Sequence, residues 1–98
     1  MQQNQEIKAD KDKPRISLVP PGIVWAIARV REYGANKYGD KEAWRQVAPE
    51  RYLDALYRHV LLCMEDPFGK DGESGLPHLW HIACNAAFLI ALKWGGRV

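Results

Sequence analysis

Cysteine, concentrated charge and long apolar runs are all scarce in this sequence, and each scarcity removes a class of protein. Cys63 and Cys84 are the only cysteines among 98 residues, without the dense spacing of a disulfide scaffold or zinc ribbon. Both fall within helical apolar patterns and are expected as buried free thiols. The formal net charge is only +2, with basic residues scattered among acidic ones. The concentrated patch that duplex nucleic acid favours is missing, so no nucleic-acid partner is expected. No N-terminal stretch has the apolar centre of a signal peptide, and the run over residues 82–94 is too short and interrupted to span a bilayer. No membrane partner is expected, and the expected location is cytoplasmic. No repeat or low-complexity tract occurs.

What remains is a chain of one-domain size whose core is modest, so that association between copies would add stability; a homo-oligomer is expected. Residues 1–12 are polar with almost nothing to bury and are expected to form a flexible arm, leaving residues 13–98 as a single all-α domain. Proline and glycine punctuate it. A first helix is predicted from about Pro21 to Tyr38, with Ile23, Ile27, Val30 and Gly34 at helical spacing and Gly39 ending it. A second runs from Pro49 to Asp66, stopped by Pro67, with Leu53, Leu56, Tyr57, Val60 and Met64 as its apolar stripe. Asp54, Arg58 and Glu65 lie on one flank of that stripe, and His59 and Asp66 on the other. Asp54 and Arg58 have the spacing of an i, i+4 ion pair.

The third helix organises the chain. It is predicted to start near Leu76, with Pro77 in the first turn and Ser74 or Gly75 as cap, and it is apolar nearly all round. His78, His81 and Asn85 nevertheless share one of its faces at i, i+3 and i+7. Two imidazoles and an amide in a buried helix are costly without partners, and the preceding acidic loop supplies Asp71 and Glu73. Each is either a satisfied core residue or part of a site. His59 and Glu65 are the sharper candidates on the second helix, a histidine serving as ligand or proton carrier.

Cations stand elsewhere in suggestive places. Lys13 and Arg15 flank Pro14 on a stiff segment that suits a phosphate or is merely solvated. Lys37 closes the first helix, and Trp44 beside Arg45 either stacks on a base and holds a phosphate or anchors a loop.

Taken together, DKPRISLVPP (12–21), EYGANKYGD (32–40), AWR (43–45), YLDALYRH (52–59) and ESGLPHLWHIACN (73–85) resemble the small phage-encoded dATP/dGTP diphosphohydrolases, relatives of the MazG-like all-α nucleoside triphosphate pyrophosphatases. The resemblance covers nearly everything after Asp10. It implies a small bundle of three or more helices, completed by oligomerisation, that splits a purine deoxynucleoside triphosphate, dGTP or dATP, into monophosphate and pyrophosphate with Mg²⁺ or Mn²⁺. The usual ExxE and ExxD metal motifs of MazG-like enzymes are absent from the expected helices. By position and residue type the metal set becomes Glu65, Asp71, Glu73, His78 and His81, and the catalytic set His59, Glu65, Glu73, His78 and His81. Carboxylates suit hard cations, while imidazoles among them suit Mn²⁺ better than Mg²⁺.

Phosphate contacts are expected from Lys13, Arg15, Lys37 and Arg45. Tyr38, Trp44 and Trp80 offer stacking faces for the base, and Asn85 either orients a histidine or bonds the substrate. The competing reading is a non-catalytic helical module that binds a nucleotide or protein partner, with structural histidines.

Overall fold

A computed structural model describes Ala9 and residues 11–94, the side chain of Trp94 excepted. Most of the expected arm, and the tail over residues 95–98, lie outside the described residues. Three α-helices make up the domain: α1 (Pro21–Tyr38), α2 (Pro49–Glu65) and α3 (His78–Trp94), with single 3₁₀ turns at Ile16–Leu18 and Ala43–Gln46. Among the described residues there is no strand, only an isolated antiparallel bridge between Lys70 and Pro77. This is the expected all-α architecture. No helix of the described residues is long and apolar enough to cross a membrane.

The helix boundaries follow from proline and glycine chemistry. α1 and α2 each carry proline in the first turn, where its missing N–H has no intrahelical partner. Gly39 ends α1 in the left-handed conformation (φ 69°), its N–H bonded to the Ala35 carbonyl. α2 ends one residue earlier than predicted, at Glu65, because Asp66 turns extended. α3 starts at His78, two residues later than predicted. Leu76 is held in the loop, accepting the Asp71 N–H at 2.8 Å, and the Pro77 carbonyl receives the first helical bonds, from Trp80 and His81.

α3 packs against α2 along most of its length and against α1 less extensively. The interior is thin. Val30 and Cys84 are the only buried apolar residues described, beside three buried polar ones, His78, His81 and Asn85. Burial pushes the Cys84 thiol up to about 11, so it stays protonated and inert at neutral pH. The radius of gyration, 17.0 Å, exceeds the roughly 13 Å of a compact 100-residue domain.

The apolar stripe predicted for α2 proves to be out of phase with the packing. Leu56 and Val60 are half-buried, but Leu53, Tyr57 and Met64 are exposed. The face turned inward is Tyr52, Ala55, Leu56, His59, Val60 and Cys63, rotated by about one residue. The expectation of a deeply buried α3 is likewise corrected, since Leu79 and Ile90, part of its nearly continuous apolar surface, are exposed.

Two glycines test the backbone reading with opposite signs. A Cβ would meet no atom within 4 Å at either Gly22 or Gly39, but only Gly39 is left-handed. Gly39→Ala should cost about 1 kcal/mol, while Gly22→Ala, inside α1, should stabilise by about 0.5 kcal/mol through the unfolded chain's lost entropy. Urea denaturation of both variants measures this; equal effects would contradict the assigned backbone.

Candidate functional site

α1 and α2 both lean on α3 and leave between them a cavity of about 430 Å³, within the roughly 300–1,000 Å³ typical of small-molecule sites. α1 contributes Arg31, Tyr33, Lys37 and Tyr38 to its wall, and α2 contributes Arg51, Tyr52, Arg58 and His59. α3 supplies His81, Asn85 and Phe88, and the loop before it Asp71 and Glu73.

That loop is built to aim Asp71. Its Oδ2 accepts the N–H groups of Ser74 (2.8 Å) and Glu73 (3.2 Å). The Gly75 N–H bonds the Asp71 carbonyl at 2.8 Å, a closure for which Gly75 takes a left-handed φ of 73°. Burial pushes the Asp71 carboxyl upward, but the Ser74 N–H and hydroxyl, then His81 and His59, outweigh this and hold it below the usual carboxylate range. Asp71 is therefore ionised at neutral pH, with Oδ1 left for a ligand.

Three imidazoles meet beside it. His59 Nδ1 lies 2.8 Å from His78 Nδ1, and the His59 ring stacks on His81 with centroids 4.6 Å apart and planes 7° from parallel. Ser74 Oγ shares a 2.7 Å hydrogen bond with His81 Nε2. Asn85 donates to the His81 carbonyl at 2.9 Å, one turn along α3. Burial, foremost, lowers the affinity of His59 and His81 for protons, so both are neutral at pH 7 and available as ligands or bases. His59, Asp71 and His78 each present one donor atom, all within 4.8 Å of one another. Two nitrogens and a carboxylate oxygen at this spacing fit a divalent cation, Mn²⁺ better than Mg²⁺.

Other residues singled out in the sequence fall in different places. Glu73 lines the cavity but is ion-paired with Lys37. The hydrogen bond from Lys37, then that from Tyr33, holds its carboxyl below the usual carboxylate range. Glu65, on the exposed last turn of α2, is not among the residues lining the cavity, nor are Lys13 and Arg15, exposed beside the first 3₁₀ turn. Arg45 is bonded to Glu42 at 2.6 Å. Trp44 lines the cavity, but its ring stacks on Phe88 at 4.9 Å and carries the Arg45 guanidinium 4.5 Å from its centroid. Those contacts are those of the loop anchor. Tyr38 lines the cavity near the Lys37 ammonium, whereas Trp80 does not line it.

Arg31, Tyr33 and Arg51 line the cavity although the sequence does not mark them as site residues, and so does Arg58, whose spacing from Asp54 suggests an ion pair. The signal on α2 is the spacing Arg51, Ala55, Arg58 and His59, one face of the helix.

The imidazoles set a pH dependence. Their folded proton affinities lie below the unfolded value near pH 6.5, so the unfolded chain binds protons first on acidification. The stability of metal-free protein should be fully present above about pH 6.5 and fall as the pH drops through it. Melting temperatures in chelator between pH 7.5 and 5.5 check this, and His59→Gln with His81→Gln should flatten the curve. A wild-type melting temperature constant over that window contradicts the assignment.

The sequence model of a family described as dATP/dGTP diphosphohydrolase, N-terminal, matches residues 3–97. A curated dATP/dGTP diphosphohydrolase of Salmonella phage PMBT28 is 40% identical over 86 residues, covering 88% of this chain and 29% of that protein. The chain thus spans less than a third of that relative's length. No solved structure matches it.

Proposed function

The chain belongs to the family described as dATP/dGTP diphosphohydrolase, N-terminal, and from that membership we propose that it takes part in hydrolysing dATP or dGTP to the monophosphate and pyrophosphate. The observation that carries this reading is the convergence of His59, Asp71 and His78 donor atoms within 4.8 Å beside a cavity of nucleotide-compatible size. His59, Asp71 and His78 are the proposed holders of Mg²⁺ or Mn²⁺. When bound, such an ion supplies neutralisation of phosphate charge and a more acidic water.

The remaining chemistry falls to the chain's own groups. Hydrolysis of the α–β anhydride consumes one water, whose oxygen bonds to phosphorus while the anhydride oxygen leaves with the pyrophosphate. A proton must leave that water, and His81, neutral and oriented by Ser74, is the proposed acceptor. Asn85 fixes the turn that carries His81 by its bond to the His81 carbonyl. Glu73 and Lys37 tie the loop before α3 to the end of α1, keeping Asp71 against the cavity.

The competing reading, a module with structural histidines, draws on the 2.8 Å contact between His59 and His78. Activity and stability separate the two. Asp71→Asn and His78→Gln, which keep a hydrogen-bonding group at each position, should each lower pyrophosphate release from dGTP or dATP at least 100-fold while the metal-free melting temperature changes by only a few degrees. Should stability collapse instead, with activity falling only as the folded fraction falls, the histidines build the core and the site is misassigned.

A homo-oligomer is proposed as well, through the outer face of α2, where Leu53, Tyr57, Leu61 and Met64 are exposed at i, i+4, i+8 and i+11. Tyr57→Glu with Leu61→Glu should convert the assembly to monomers in sedimentation. Monomeric wild-type protein at high concentration would remove the proposal.

A further inference from the structure

The cavity is lined by Arg31, Lys37, Arg51 and Arg58 against Asp40, Asp71 and Glu73, and of these cations the three arginines have no carboxylate partner among the described residues. Arg51 and Arg58 are seven residues apart on α2 and both line the cavity, as does Arg31 from α1. We propose that Arg31, Arg51 and Arg58 form a cradle for a linear polyphosphate, the triphosphate of a nucleotide, in the cavity that also holds His59 and Asp71. This rests on the nucleotide-hydrolysis reading above and assigns the part of the substrate that reading leaves unplaced.

The first support is an ion pair that does not form. Asp54 lies three residues after Arg51 and four before Arg58, the spacing at which helical ion pairs close. Neither closes: the ion pairs among the described residues are Arg29–Glu32, Lys37–Glu73 and Arg45–Glu42. Both residues line the cavity, with their charge uncompensated by Asp54.

Arg31 is fixed more firmly. Its guanidinium sits 5.3 Å from the Phe88 centroid and 5.8 Å from that of Trp44, and it donates to the Lys41 carbonyl. One bond leaves most of its five donors available, so the group is held in place with donors to spare. The stacked pair Trp44 and Phe88 thus supports a cation.

Competing cations are already engaged. Lys37 is tied to Glu73 and Arg45 to Glu42, and Lys13 and Arg15 do not line the cavity. Planar guanidiniums match paired phosphate oxygens with two parallel hydrogen bonds, which an ammonium cannot do. Three of them in one cavity with a carboxylate–imidazole cluster suit an elongated anion that reaches both.

Calorimetric titration in excess Mn²⁺ at pH 7.5 tests this with two probes, inorganic tripolyphosphate and α,β-methylene-dGTP. Arg31→Gln, Arg51→Gln and Arg58→Gln should each weaken both probes at least tenfold, with Lys variants at the same positions recovering only part. Arg29→Gln, exposed and paired with Glu32, should bind as wild type does. Melting curves identify any variant that fails to fold, and the Lys variant at that position then decides. Unchanged affinity in all three Gln variants overturns the cradle but leaves the hydrolysis reading standing. Wild-type binding of tripolyphosphate without the nucleotide analogue, lost in the Gln variants, upholds the cradle and removes the nucleotide reading. Equal weakening in Arg29→Gln reduces the effect to overall charge and overturns the cradle, as does wild-type protein that binds neither probe.

Discussion

The constraint on which the rest of the structure depends is the burial of imidazoles between α2 and α3. Each ring nitrogen removed from water must find a partner or lose on the order of 1–3 kcal/mol. His59 and His78 partner one another at 2.8 Å across the two helices, and Ser74 takes His81 Nε2 at 2.7 Å. Those requirements set how α2 is rotated about its axis. Turning its best apolar stripe inward would have carried His59 away from α3, so Leu53 and Tyr57 lie outside and His59 inside. Polar contacts won over apolar area, and the cost appears as a thin core.

The loop before α3 is the second consequence. His81 meets a hydroxyl only because Ser74 is brought back over the first turn of α3, and the Asp71 carboxylate does this by accepting the Ser74 N–H while its backbone closes on Leu76 and Gly75. The same bonds that shape the loop keep Asp71 ionised. Fold and chemistry share one set of hydrogen bonds here, so a change at Gly75 acts on the imidazoles without touching them.

Much of this was legible in the sequence, and the reasons for the remainder are physical. Pro21, Gly39, Pro49 and Pro67 mark helix limits through local backbone chemistry, which acts within a few residues and can be read there. The shared face of His78, His81 and Asn85 is helical geometry, and all three are buried as expected. The partnership of His59 with His78 spans nineteen residues and depends on the rotation of two helices, which periodicity leaves open when polar and apolar flanks adjoin. For the same reason the cavity arginines are not legible in the sequence: Arg58 has Asp54 at ideal spacing, and nothing local reveals that the pair stays open. Trp44 was ambiguous because its packing partner, Phe88, lies far along the chain.

α2 therefore presents three arcs. Arg51, Arg58 and His59 line the cavity, Leu56, Val60 and Cys63 form the half-buried inner arc, and Leu53, Tyr57 and Leu61 lie outside. In a compact monomer of this length, two of those arcs would compete for one interior, and burying the apolar one would leave charged residues outside with no cavity to line. α3 packs against the inner arc and the cavity lies toward α1, so the outermost apolar arc is the side that the proposed association would cover. The electrostatics argue the same way. Guanidiniums held around a cavity repel one another, and that repulsion is tolerated when the scaffold behind them is rigid or when an anion sits among them. Association through the outer arc would supply the first condition and a bound polyphosphate the second, so the proposed oligomer and the proposed cradle answer the same deficit of core from opposite sides of one helix.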